Sequence, residues 1–162
     1  MSGEEEAHEV RVDEDDLVQA ESALGYQFKN REFLQLALTH RSAQSRGVRN
    51  DYERLEFLGD AVLDLVVAHM LLENYPDARE GELSKMRAAL VNTSSLAEVS
   101  RSLQMGKFIR LSRAEQVSGG AERTSILADV VEALVGAVYR DGGFEAAFRV
   151  AQQHFHDRLK SV

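Results

Sequence analysis

Leu55 to Leu72 reads LEFLGDAVLDLVVAHMLL. Apolar residues fall on almost every side of a helix wound at about 3.6 residues per turn, so the stretch predicts a helix of the core rather than of the surface. Reading outward, the helix spans about Asp51 to Asn74 and stops before Pro76, the only proline in the chain. Asp64 and His69 interrupt its apolar run, so it falls short of the roughly 18 uncharged residues that a membrane span requires. Yet Glu56 and Asp60 stand at i and i+4, with Glu53 one turn earlier, so three acids share one stripe of an otherwise greasy helix.

A second stretch has the same character. Ser125 to Tyr139, SILADVVEALVGAVY, carries two charged residues, Asp129 and Glu132, at i and i+3, and no base. An ionised carboxylate withdrawn from water costs several kcal/mol unless something compensates it. Protonation relieves one member of a close pair but not four clustered acids at neutral pH. Pairing needs bases, and the two stretches and their flanks offer only Arg54 and Arg123, both off the acidic stripes. Two outcomes stay open. Either the four acids share a divalent cation, for which an all-oxygen donor set selects Mg²⁺, with Mn²⁺ as a substitute, or each pair faces solvent in its own slot. A cluster of carboxylates around Mg²⁺, without a nucleotide-binding loop, points to phosphodiester hydrolysis.

The rest of the chain is helical in its periodicity, and no strand pair is predicted. Leu17 to Leu24 forms a short helix ended by Gly25, and Phe33 to Leu38 a second one with Asn30 as N-cap. Further helices cover about Glu82 to Val91, Ser94 to Leu103, Ser125 to Tyr139 and Phe144 to Leu159, giving an all-α domain of about seven helices. Arg41–Asn50 and Ser112–Thr124 read as loops. The 162 residues carry 27 acids and 19 bases, but nine acids and only one base lie in residues 1–22, so the body is neutral. Residues 1–12 are expected to form a disordered acidic tail and residues 13–162 the folded domain. A neutral body can still carry a basic face, so nucleic acid is not excluded. No cysteine is present, which removes thiolate zinc sites, disulfides and cysteine nucleophiles. Gly106-Lys107 lacks the pattern of a phosphate loop, so no nucleotide cofactor is expected. His156-Asp157 lacks the further histidines of a His-Asp phosphohydrolase, and His40 reads as a structural hydrogen bonder.

Glu53 to Leu63, ERLEFLGDAVL, resembles the signature of the ribonuclease III family almost letter for letter. ALTHRS (Ala37–Ser42), REGELSKMRAALV (Arg79–Val91) and ILADVVEALVGAVYRDGGF (Ile126–Phe144) support the resemblance in the same order. It extends from about Leu24 to Leu159. The resemblance implies the all-helical, bacterial-type endonuclease domain of that family, which uses Mg²⁺ to cut double-stranded RNA. The products would carry 5′-phosphate and 3′-hydroxyl ends with short 3′ overhangs. Glu56, Asp60, Asp129 and Glu132 match the catalytic, metal-binding carboxylates, with Asp60 and Glu132 nearest the chemistry. Glu53 and Glu80 match the accessory acids. A cytoplasmic homodimer is implied, acting on ribosomal, messenger and small RNA. Phe57 matches an aromatic inserted into the partner, although its helical spacing alone marks it as core. Bacterial members continue into a double-stranded RNA-binding domain that this sequence does not include.

Duplex RNA is recognised mostly through phosphates and 2′-hydroxyls. Candidate contacts are Lys85 and Arg87, the set Lys107, Arg110, Arg113 and Arg123, and a second basic loop with Arg41, Arg46 and Arg49. For each of these an ordinary solvated surface charge is the competing reading.

Overall fold

The computed structural model describes residues 11–44 and 50–162. The expected tail up to residue 10, Arg46 and Arg49 lie outside the described residues. Among the described residues seven α-helices follow one another: α1 (Glu14–Leu24), α2 (Glu32–Ala37), α3 (Glu53–Asn74), α4 (Glu80–Val91), α5 (Thr93–Ser102), α6 (Arg113–Val117) and α7 (Thr124–Phe155). No strand is present among the described residues; an isolated parallel bridge joins Thr39 to Arg110.

Local chemistry sets most helix ends. Asp13 caps α1 by accepting from the Asp16 N–H at 2.9 Å, and Gly25 closes it in the left-handed conformation at φ 82°. Asn92 alone separates α4 from α5 and caps the latter through the Ser95 N–H at 2.8 Å. At α2 the expected cap is displaced by one residue. Arg31 occupies the N-cap position without a side-chain bond, while Asn30 Oδ1 accepts from the Glu32 N–H at 3.1 Å.

Three expectations change. Ser112–Thr124 is not a plain loop, because Ser112 caps α6 and a 3₁₀ turn follows at Gly120–Glu122. The two C-terminal helices are halves of α7, joined end to end at a bend where Gly143 takes φ 81° and ψ −174°. Residues 11 and 12 belong to the packed body. Val12 is only 2% exposed, and its N–H and C=O are both held by the Gln35 amide.

The core is built around α7, whose first half is buried on nearly all sides by α3, α5 and α2. Each fully buried valine or leucine there contributes roughly 1.5–3 kcal/mol of transfer free energy. The most extensive helix pair is α3 with α7. Its crossing point is Gly59 against Gly136: a methyl on Gly59 would overlap the carbonyl oxygen of Glu132, and one on Gly136 the carbonyl oxygen of Leu55. Two glycines therefore let the backbones touch where any side chain would hold them apart.

Two acids, buried Glu21 and half-buried Asp141, tie the periphery down. Glu21 accepts from the Phe28 N–H at 2.7 Å and pairs with Arg31 at 2.9 Å. Asp141 on α7 accepts from the Tyr26 hydroxyl at 2.7 Å and from the Lys29 and Asn30 N–H groups at 2.8 and 2.9 Å, fixing the α1–α2 connection.

Because neither backbone can retreat without opening the core, Gly59→Ala or Gly136→Ala is expected to destabilise the domain by on the order of 3 kcal/mol. Urea unfolding followed by circular dichroism measures this; an unchanged midpoint would show that the crossing tolerates a wider spacing.

Candidate metal centre

The glycine crossing decides where the acids go. Glu56 and Asp60 flank Gly59 on α3, and Glu132, whose carbonyl lies against Gly59, sits one turn beyond Asp129 on α7. Carboxylate oxygens of Glu56, Asp129 and Glu132 all lie within 4.8 Å of one another. Asp60, exposed and outside that group of three, lies close enough to Glu132 to raise its proton affinity, and Asp129 does the same to Glu56. Two pairs that the sequence left as either convergent or separate thus occupy one site.

None of the four is paired with lysine or arginine among the described residues. The result is an electrostatic load. Burial, together with the charge of Asp129 and its hydrogen bond, pushes the Glu56 carboxyl up to about 7. Burial and neighbouring Asp60 push Glu132 up to about 8. Asp129 is raised too, chiefly by burial, with the Glu56 hydrogen bond opposing. The Tyr52 phenol is raised by burial and then by the charge of Asp129 and Glu56. Carboxylates this close hold protons in place of a counter-charge. An all-oxygen, uncompensated anionic donor set fits a hard dication such as Mg²⁺ or Mn²⁺.

The remaining candidates are scattered. Glu53, exposed in the first turn of α3, lines a cavity of about 370 Å³ beside Glu56 and Asp129, and Glu80 opens α4 outside the three-carboxylate group. Phe57 corrects its reading as core. It is 82% exposed, on a face of α3 shared with exposed Leu65 and Leu72. Lys85 and Arg113 are exposed, and Arg87 is half-buried, near enough to Asp64 to lower its proton affinity against the rise from burial. Lys107 lies 5.0 Å over the ring of Phe108. Arg110 is turned inward, bonding the Arg11 carbonyl at 3.1 Å and Asp16 at 3.0 Å, which argues against an RNA contact. Arg41 and Arg123 line the cavity beside the acids, together with His40 and Tyr52, neither of which the sequence reading placed near a site. The only signal for His40 was its place in the ALTHRS segment.

A helical domain that crosses two helices on glycines and clusters unpaired acids at that crossing corresponds to a known class. The sequence model of the ribonuclease-III-like family matches residues 30–159, and the chain belongs to that family. Ribonuclease 3 of Magnetococcus marinus is 48% identical over 153 residues, covering 90% of this chain and 62% of the relative. Ribonuclease 3 of Vibrio cholerae is 48% identical over 141 residues, covering 87% and 61%. The chain thus spans about three fifths of the length of these curated relatives. Among solved structures, the nuclease domain of ribonuclease III from Campylobacter jejuni superposes with a TM-score of 0.81 at 46% identity, covering 86% of this chain and 95% of that one. That work describes flexibility in a region involved in dimer formation of the nuclease domain.

The raised carboxyls have a consequence for stability. A group whose folded-state proton affinity exceeds its unfolded value of 4.5 contributes stability that is fully present below that pH and lost as pH rises through the folded value. In chelator, the melting temperature is expected to fall between about pH 4.5 and pH 8, and Glu132→Gln should flatten that fall. Adding Mg²⁺ at pH 8 should restore the loss, since bound cation compensates the same charges. Thermal melts across this range, with and without Mg²⁺, check the sign.

Proposed function

We propose that this chain is the nuclease domain of an endoribonuclease that hydrolyses double-stranded RNA with Mg²⁺. The single observation that carries the reading is the clustering of Glu56, Asp129 and Glu132, uncompensated, at the Gly59–Gly136 crossing, with Asp60 beside Glu132. Membership of the ribonuclease-III-like family supports the substrate class. When bound, Mg²⁺ supplies a water acidified enough to attack a phosphodiester and charge to stabilise the leaving oxygen.

The protein's own contribution is to fix the donors. Glu56 and Asp129 hold the cation, and Asp60 and Glu132 stand nearest the scissile phosphate. Because the four side chains project from two closely packed helices, Glu56, Asp129 and Glu132 half-buried and Asp60 exposed, their positions are set before substrate arrives. Burial and neighbouring acids raise the proton affinity of Glu132 and Glu56, so cation binding would compete with protons at both. Glu53, on the cavity wall, and Glu80, at the start of α4, are the accessory acids, and Lys85, Arg87, Lys107, Arg113 and Arg123 are candidates for phosphate contacts. The products would carry 5′-phosphate and 3′-hydroxyl ends with short 3′ overhangs, from ribosomal, messenger and small RNA in the cytoplasm. No described helix is long and apolar enough to cross a membrane.

Two strands need two sites, and an exposed apolar strip on α3 supplies a surface for a second copy. Phe57, Leu65 and Leu72 are more than half exposed, on a helix whose other face is in the core. Burying one large side chain of this kind contributes roughly 1.5–3 kcal/mol to association. The alternative of a module that binds duplex RNA without cutting is disfavoured because all four acids are in place.

Asp60→Ala and Glu132→Ala are expected to lower the cleavage rate at least about 100-fold, since even supporting groups around a metal cost 10–100-fold when lost. Circular dichroism should show the helices intact. Cleavage of a long duplex by either variant at the wild-type rate would refute the assignment.

Phe57→Glu should convert a dimer to a folded monomer, read by sedimentation velocity. Retention of the dimer at micromolar concentration would place the interface elsewhere.

A further inference from the structure

We propose that the cavity beside the carboxylates seats one backbone phosphate of the RNA strand, held by His40, Arg41 and Arg123 rather than by the acids that bind the cation. The inference rests on the proposed RNA-cutting function and adds to it a second set of contacts, made by side chains that do not hold the cation. His40 supplies the main observation. The residue is only 8% exposed, yet it lines this cavity of about 370 Å³. Its Nδ1 is used: the Ser42 N–H donates to it at 3.1 Å, and the Ser42 hydroxyl lies 2.7 Å away. A neutral ring whose Nδ1 accepts must carry its proton on Nε2. Nε2 makes no hydrogen bond among the described residues, and the ring lines the cavity beside Asp129, whose proton affinity it lowers.

The orientation is built, not incidental. The Ser42 hydroxyl accepts from the Ser112 N–H at 2.9 Å, and the Ser112 hydroxyl accepts from the Glu115 N–H at 3.2 Å. Glu115 in turn accepts from Arg123 at 3.1 Å. One hydrogen-bonded chain therefore runs from the imidazole to the guanidinium, with α6 as its middle link. Arg123 is also the N-cap of α7 and makes no capping bond with its side chain, so the positive end of that helix opens on the same cavity at Ser125. Arg41 adds a second cation at the rim.

Five acids also line the cavity, namely Asp51, Glu53, Glu56, Glu115 and Asp129. Their excess charge repels phosphate until a divalent cation neutralises part of it, so phosphate and cation bind cooperatively here. A phosphate in this seat lies next to the proposed metal centre, because Glu56 and Asp129 belong to both. It would therefore fix the register of the strand for the cut.

The test measures binding without cleavage. A fluorescent RNA duplex is titrated with the whole chain in Ca²⁺, and each phosphate near the cut is replaced in turn by a neutral methylphosphonate. In the wild type, one position should weaken binding about tenfold, the scale of losing a charge-assisted pair. The same substitution should have no further effect in His40→Asn, which keeps the Nδ1-side contact to Ser42 but removes the cavity-facing donor, or in Arg123→Gln. His40→Gln, which places an amide donor near the lost Nε2–H, should restore the sensitivity; a purely structural role for His40 predicts no such rescue. If His40→Asn fails to fold, Arg123→Gln and His40→Gln decide by the same measurement. Absence of any coupled position, in a protein that binds and cuts the duplex, overturns this inference alone. A wild type that neither binds nor cuts duplex RNA overturns the proposed function with it.

Discussion

Everything in this domain depends on how closely α3 and α7 approach. Helices usually pack about 8–10 Å apart, with side chains filling the space between axes. Here Gly59 and Gly136 remove those side chains on both partners, and each backbone meets a carbonyl oxygen of the other. The contact is the centre of the core and also the reason that acids on two different helices reach one another. Had the crossing been spaced by leucines, Glu56 and Asp60 would look across a wider gap at Asp129 and Glu132. Stability and site geometry are thus set by the same two residues, one of them inside the signature segment and the other inside the ILADVVEALVGAVY segment.

The site works against the fold that makes it. Partly buried carboxylates without basic partners weaken the native state wherever they are ionised, and proton uptake by Glu56 and Glu132 is how the free domain relieves this. The apolar packing of α7 supplies the stability that tolerates this strain. A binding centre assembled in this way is rigid and incomplete at once: the donors are already in place and lack only a positive partner.

Much of this was legible in the sequence, for identifiable reasons. All-helical architecture followed from periodicity, and the four acids stood out because charge is conspicuous in an apolar helix. Their convergence was not legible, since it depends on Gly59 facing Gly136, and a glycine in a helix does not name its partner. Phe57 misled because helical spacing cannot tell a core face from an exposed apolar one when a helix is apolar all round. α6 was missed because five residues make too short a period to detect, and its cap, Ser112, sits among residues typical of loops. The gap expected between Ser125–Tyr139 and Phe144–Leu159 is a bend and not an end: helical hydrogen bonding continues on both sides of Gly143, whose positive φ glycine adopts readily. His40 was read as a structural hydrogen bonder, in keeping with its contacts to Ser42, but that it also lines the cavity depends on packing that the sequence does not show.

The N-terminal edge shows how near the surface can be to the centre. Val12 plugs into the Gln35 amide, while Arg110 grips the Arg11 carbonyl and the Asp16 carboxylate. The backbone of that same Arg110 receives the His40 N–H at 3.0 Å and donates to Leu38 at 2.8 Å. Any affinity tag or fusion joined ahead of Arg11 therefore pulls on a strap that is anchored one residue away from the imidazole. Trimming the chain at residue 13 would cut the strap altogether.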